Sequence, residues 1–382
     1  MDMPGNHKTP TIPLAIIGDG IAGYAMALAF ARNGHDVRLV SSGSRVVPGG
    51  VQMAPNTWAA LADLDVRGDL EAAATPLMMM RLLSLDTGMT LVSLPLNDRP
   101  ERHFYASMRR ATLIDTLAKA ALATGRVEIA TGEVQEITQS TGHAEAILTD
   151  GNTIRAEWLI GADGATGISR RYVEAGSAPD PQHKRIAFRM VLEKAAMPGL
   201  TGRATTVWLG DGGHIVHYPL DQDQINLVVM TTPSSRAEDK AAAMLRQQDR
   251  LAPAAEGLKT AFAQPLLDRP LLDTWQRGRV ILAGDAAHPM PPHLAQGAGQ
   301  SLIDAAVLSA RLNEQAPGDD LQPVFSAWSA QRIRHLREIT LDARRAGDLF
   351  SLKGPLARIR NIGLHGIGHA VLGRQLDKLW SH

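Results

Sequence analysis

Gly18, Gly20 and Gly23 are spaced G-x-G-x-x-G within "TIPLAIIGDGIAGYAMALAFARNGHDVRLV". This spacing brings backbone N–H groups up against a pyrophosphate. Gly18 allows a tight turn, Gly20 lets the backbone approach the phosphates, and Gly23 lets a helix pack closely on a strand. A second string, "GDAAHPMPPHLAQGAG" at 284–299, holds an acid, two histidines, three prolines and a closing Gly-Ala-Gly. No regular helix or strand has this make-up. It reads as a held loop in which proline fixes φ and leaves carbonyls free. A third string, "HIVHYPL" at 214–220, carries titratable side chains. Strand alternation puts His214, Val216 and Tyr218 on one side and Ile215 and His217 on the other.

The elements around the first glycines supply the context that their spacing requires. Residues 12–17 read as a strand, 21–33 as a helix closed by Gly34, and 36–40 as a second strand. This is a β-α-β unit of roughly 30 residues. Such a unit wants an acid at the end of the second strand to hold ribose hydroxyls. Ser41 stands there instead, in "VSSGSR", and offers one hydrogen bond. Arg45 close by would suit a phosphate. Three readings stay open: a weaker hold on the ribose, an adenosine end bound differently, or a decayed site.

The chain of 382 residues is long enough for two lobes. Lys plus Arg and Asp plus Glu balance at 39 each, so the basic excess of a nucleic-acid binder is absent. There is no cysteine, which excludes disulfides, thiolate metal sites and cysteine nucleophiles. Residues 12–31 are apolar enough to imitate a signal peptide or membrane span. Asp19 interrupts them and no basic cluster precedes them, so a cytoplasmic protein without membrane insertion is expected.

Two further stretches repeat the pattern of strand, glycine loop and helix. One is "AEWLIGADGATGISRRYV" at 156–173, with Asp163-Gly164 in its loop; the other runs from 279 to 310 through Gly284-Asp285. In this order, over nearly the whole chain, the three resemble the FAD-dependent aromatic hydroxylases, the single-component flavoprotein monooxygenases. The salicylate, 6-hydroxynicotinate and 3-hydroxybenzoate hydroxylases belong to this group.

The resemblance implies an α/β fold: a Rossmann-like FAD-binding domain, an inserted antiparallel-sheet substrate domain and a C-terminal helical segment. The FAD domain is expected at 1–75, 97–175 and 268–350, the substrate domain at 76–96 and 176–267, and the last helix at 351–382. It further implies that Gly18, Gly20, Gly23, Ser41 and Asp163 serve the dinucleotide, and that Asp285 bonds the ribityl chain. The Pro291 and Pro292 carbonyls and the backbone of Gly297, Ala298 and Gly299 would line the isoalloxazine. A helix from Gln300 would aim its N-terminus at the pyrimidine edge, where it favours the charge of reduced flavin. Arg110, opening "RATL", matches an arginine that touches FAD. Ile303 replaces an acid usual before Asp304. NADH or NADPH is implied as a transient co-substrate with no domain of its own.

Between the second and third motifs, "KRIAFRMVLE", "ATTVWLG", "HIVHYPL" and "INLVVMTT" read as strands, followed by helix over 235–249. The resemblance places His214 and Tyr218 at a ring pocket, where His293 meets them. By the same resemblance, reduced flavin and O2 would there supply one oxygen to a ring activated by loss of its hydroxyl proton. A base with pKa near 7 suits that step. Gln52 is a substrate-side candidate. Arg189 is either a surface residue of an edge strand or a bidentate clamp for a substrate carboxylate. The implied substrate is a small hydroxylated benzoate or pyridine carboxylate, with loss of CO2 if the carboxylate sits at the attacked carbon.

The chain's last stretch is amphipathic and expected to cover both lobes. His365 and His369 stand four apart, but no third ligand is evident, so no metal is expected. No further domain is expected after it. A monomer or homodimer is expected. Two other functions remain: a flavoprotein oxidising a larger natural product over the Met-rich "TPLMMMRLL" at 75–83, and a non-enzymatic dinucleotide binder.

Overall fold

The computed structural model describes residues 11–43, 46–97, 104–175, 182–200, 202–316 and 318–380. Arg45 lies outside them. Four strands form the parallel heart of the first sheet: Val280–Leu282, Thr153–Gly161, Thr11–Ile17 and Val37–Ser41, with Val127–Thr131 added in parallel beyond the last. A short antiparallel extension, Val134–Ser140 and His143–Leu148, pairs onto Thr153–Gly161. The Ile21–Arg32 helix packs against this sheet, buried from Ile21 to Ala31. Its pattern explains this: "IAGYAMALAFA" has no charged residue, so it suits a helix covered on every side.

The order of strands puts chemistry at one edge. Thr11–Ile17, Thr153–Gly161 and Val280–Leu282 are parallel neighbours, and each runs directly into one of the three glycine loops. The loops therefore converge beyond the carboxyl ends of adjacent strands, where open α/β sheets bind ligands.

The second sheet has seven strands, from Phe262–Asp268 at one edge to Thr90–Pro95 at the other. It is not purely antiparallel. Ala204–Leu209 pairs in parallel with Met79–Ser84, because the chain leaves for the first lobe between these strands. Gln182–Glu193 lies inside the sheet, paired on both sides, so Arg189 is not on an edge strand. The edge belongs to Phe262–Asp268, whose Pro265 an edge tolerates. A small third sheet, Gly50–Met53, Ala106–Arg109 and Thr75–Pro76, bridges the lobes. Cross-lobe hydrogen bonds stitch it down: Thr75 Oγ1 to Leu220 O at 2.8 Å and Gly50 N–H to Asn226 Oδ1 at 2.9 Å.

Helices Gln322–Phe350 and Pro355–Trp380 end the chain. The last helix lies on the Thr90–Pro95 edge, and its Trp380 reaches both the main core and a cluster around Tyr218. Among the described residues no helix is long and apolar enough to cross a membrane, and no group of His, Asp and Glu could hold a metal ion.

Candidate active site

The glycine loop is shaped by contacts that a Cβ would forbid. Gly18 has φ +111°, and a Cβ there would lie 2.5 Å from Ala162 O. A Cβ on Gly23 would collide with Gly18 O, so the helix can meet its own loop only without a side chain. Gly20 differs: a Cβ there would meet nothing within 4 Å. The open space over it is what the approach of a pyrophosphate would require. Gly284, at φ +56°, brings the third loop within 2.5 Å of Ala22 Cβ if a Cβ is added, so the first and third motifs touch.

Two buried charge networks pin the 284–299 loop, and sequence reading missed both. Arg170 is fully buried. It donates to Ala286 O at 2.9 Å and Pro270 O at 3.0 Å, with Glu174 at 2.6 Å as its counter-ion and Arg269 closing the group. The second network centres on Asp304, 0% exposed. Asp304 accepts from His288 Nε2 at 2.5 Å and from Arg332 Nε at 2.6 Å, and Arg332 also donates to Gln300 Oε1 at 2.7 Å. Burial by itself would raise the Asp304 carboxyl, but His288 and Arg332 outweigh it and hold the group below the usual carboxylate range. Trp275 lies against the His288 ring, with centroids 5.4 Å apart and planes tilted by 33°. Ile303, where an acid is usual, packs on the main core instead.

The helix after the loop starts at Gly297, three residues earlier than expected. Gly297, Ala298 and Gly299 are thus its first turn, and the first helical bond is closed by Gln300 N–H onto Gln296 O. Their amides have no intrahelical acceptor, so they are donors for an anionic edge. Gly299 has a second reason to be glycine, since a Cβ would collide with Thr57 Oγ1 on the Pro55–Asp63 helix. Asp285 is exposed at the loop's mouth. Beside it a cleft of about 190 Å³ is lined by Asp285, Pro289, Pro292, His293, Arg185 and Gln264.

Asp163 turns its carboxylate into its own loop. Oδ2 accepts from the Ser169 N–H at 3.0 Å, capping the Ile168–Glu174 helix, and Oδ1 is buried without a partner. Burial pushes its carboxyl up, and the Ser169 amide only partly opposes this. Arg110 opens its helix by donating its amide to Gly49 O at 3.0 Å, and its Nε is buried without a partner.

His214, Val216 and Tyr218 share one face of the second sheet, while Ile215 and His217 face the lobe's own core. The structure sorts the candidate residues into two groups along that face. His214 and His293 are ring to ring at 5.3 Å, with Phe350 at 5.3 Å from His214. Tyr218 lies four residues along, about 13 Å by strand rise. Its neighbours are Tyr105 and Gly50, with the cations Arg189 and Arg110 close enough to lower its pKa. Gln52 Oε1 accepts from Tyr105 Oη at 3.1 Å. Arg189 Nε donates to Gln264 Oε1 at 3.0 Å, which links this group to the cleft holding His293. Tyr105 and Trp380 were not expected here, yet their rings stand 5.5 Å apart at this end of the face.

Electrostatics corrects one expectation. Burial first, then Arg185, pushes His293 down to about 4; burial, then His293, pushes His214 well below its ordinary value. Neither is a base poised near 7. Both are neutral imidazoles, each with a buried Nδ1 lacking a partner. Burial pushes Tyr218 up to about 12, against the pull of Arg189 and Arg110, so it is a neutral donor.

Depressed histidines make stability depend on pH. His217, 8% exposed, is pushed down to about 3 by burial and then by Arg250. Unfolded, it binds a proton below about 6.5. Stability is therefore complete above that pH and falls as the pH drops toward 3. Between pH 6.5 and 5 this one group costs about 2 kcal/mol. Urea melts across this range should show His217→Gln with a shallower slope than the parent, by close to one proton. Equal slopes would refute the assignment.

A parallel sheet with glycine loops at three adjacent strand ends, and a second sheet facing the third loop, defines a two-lobed dinucleotide flavoprotein. The residues fit FAD: open space over Gly20, an exposed Asp285 carboxylate, an unpartnered Arg110 Nε and free amides at 297–299. The chain matches the FAD binding domain family over residues 11–342. It is 32% identical over 375 residues to 3-hydroxybenzoate 6-hydroxylase 1 of Aquipseudomonas alcaligenes, covering 91% of this chain and 92% of that one. It is 30% identical over 384 residues to the 3-hydroxybenzoate 6-hydroxylase of Klebsiella oxytoca, covering 96% and 95%. Klebsiella pneumoniae HpxO, solved with FAD and uric acid, shares the fold at TM-score 0.83 and 23% identity over 96% of each chain. The chain belongs to the FAD binding domain family and is an FAD-dependent aromatic-ring monooxygenase.

Proposed function

We propose that the protein hydroxylates a small aromatic carboxylate that already bears a ring hydroxyl, a hydroxybenzoate in the first instance. Substrate, O2, NAD(P)H and a proton give the hydroxylated ring, water and NAD(P)+. Bound FAD, once reduced, activates O2 for transfer of one oxygen atom. Gly18, Gly20, Gly23 and Arg110 would hold the dinucleotide, and Asp285, Pro292 and the Gly297–Gly299 amides its flavin half.

The observation that carries this reading is the neutral His214–His293 pair beside the proline loop. An aromatic ring is made nucleophilic when its hydroxyl proton is taken. A neutral imidazole with an unpartnered nitrogen can accept that proton. An incoming anion opposes Arg185, which depresses His293, and so strengthens the base when substrate is present. Arg189, on the same sheet face, would receive the carboxylate, and Tyr218 would donate to a developing oxyanion. Met79–Ser84 is a sheet strand in which Met80 packs partly buried against two clusters, while Met78 just before it is 43% exposed.

The test is NADH and NADPH oxidation with 3-hydroxybenzoate, salicylate and 6-hydroxynicotinate, followed by product analysis under labelled O2. One labelled oxygen in a product that keeps its carboxylate is expected from 3-hydroxybenzoate. Release of CO2 would select the decarboxylative version, and no stimulation by any hydroxylated aromatic acid would overturn the proposal.

A further inference from the structure

The second strand ends at Ser41, where a ribose-binding acid would stand, yet the structure puts a carboxylate there from another direction. Asp19, between Gly18 and Gly20, accepts a hydrogen bond at Oδ2 from Ser41 Oγ at 2.5 Å. Ser41 Oγ in turn accepts the Gly43 N–H at 3.2 Å. The hydroxyl's single proton is thus committed to Asp19, and the serine acts as a fixed prop. Among the described residues Asp19 has no ion pair, and its other oxygen has no hydrogen bond.

An acid here is hard to explain by folding. It sits one residue from a pyrophosphate cradle, where it repels an anionic ligand. It caps no helix: the Ile21–Arg32 helix has no side-chain cap. Its charge reaches Tyr24, whose hydroxyl is pushed up first by burial and then by Asp19. What a half-buried carboxylate with a spare oxygen offers is acceptance from a pair of hydroxyls. We propose that Asp19, oriented by Ser41, is the acceptor for the adenosine ribose hydroxyls of FAD. The acid that the second strand lacks is supplied from the glycine loop. This rests on FAD as the cofactor and extends it to a residue that the fingerprint leaves unspecified.

The experiment strips FAD and titrates apoprotein with FAD and, separately, with FMN, which has no adenosine, following flavin fluorescence. Asp19→Asn should raise the FAD Kd at least about tenfold, as loss of a charge-assisted hydrogen bond does, and leave the FMN Kd unchanged. Ser41→Ala should give a smaller loss in the same direction. Asp19→Gly combined with Ser41→Glu returns the acid to the strand end and should bring FAD binding back to within a few-fold of the parent. FAD binding by Asp19→Asn as tight as the parent's, or tighter, overturns the proposal. So does parallel weakening of FAD and FMN, which would make Asp19 a prop for the loop. A parent apoprotein that ignores FAD would overturn the cofactor assignment itself, a result distinct from either.

Discussion

Asp304→Asn should destabilise the protein by about 3–5 kcal/mol, the cost of breaking a buried ion pair by removing one partner. The substitution is isosteric, so no cavity forms. What changes is charge: Arg332, 3% exposed on its side chain, keeps the Asn oxygen and Gln300 as neutral acceptors but loses its buried counter-ion. His288 loses the carboxylate that orients it, and with it the contact that ties the 284–299 loop to the Gly297–Leu312 helix. Holoenzyme and apoprotein should both show the loss in urea melts, and FAD should bind more weakly because Asp285 and Pro292 ride on the same loop. Asp304→Leu with Arg332→Met separates the causes. Replacing a buried ion pair with apolar groups is often neutral, so the double variant should recover the loss except for the about 1–3 kcal/mol of leaving the buried His288 ring nitrogen without its acceptor, while FAD binding stays impaired. A single Asn variant as stable as the parent would show that the pair contributes nothing.

What the sequence made legible is backbone geometry. Gly18, Gly23 and Gly284 are readable because a Cβ has no room there, and that prohibition leaves a fixed residue type at a fixed spacing. The two networks left no such spacing. His288, Asp304 and Arg332 come from a loop and two helices, and Arg170, Glu174 and Arg269 from a helix and a distant segment; only folding brings them together. A signal did exist. Asp304 stands among Leu302, Ala305 and Ala306 on a buried face, and Arg332 lies between Trp328 and Leu336 at helical spacing. A charge on an apolar stripe calls for a buried partner. Arg189 was misplaced for a different reason: "AFAQPLLD" hides a strand behind its proline, and without that strand its neighbour looks like the edge. The reach of Trp380 to Tyr105 had no local signal, because it depends on how the last helix lies across the lobes. The histidines' faces were readable from strand alternation, but their pKa values depend on burial and on Arg185, which no local pattern reports.

His293→Ala should lower the hydroxylation rate about 10²- to 10⁴-fold, the range for losing a positioned general base, while FAD stays bound with its spectrum intact. His293 packs against Gly347 and His214 at the rim of the cleft, and Asp304 and Arg170 hold the loop independently of it. Its removal therefore leaves the flavin loop in place. The pH profile distinguishes a base from a packing residue. His293 is neutral above about 4, so the parent's kcat/KM should hold level as the pH falls through 6. In the variant the ring hydroxyl must ionise unaided, with a pKa near that of a phenol, about 10. The deficit should then shrink as the pH rises from 7 toward 9. His293→Gln keeps a hydrogen-bonding group but cannot take a proton, and should show the same pH-dependent deficit with a smaller change in KM. Comparison with His214→Ala and the double variant assigns the proton: two residues acting on one hydroxyl give non-additive losses. Turnover unchanged in His293→Ala at every pH would remove it as the base and leave His214 alone in that role.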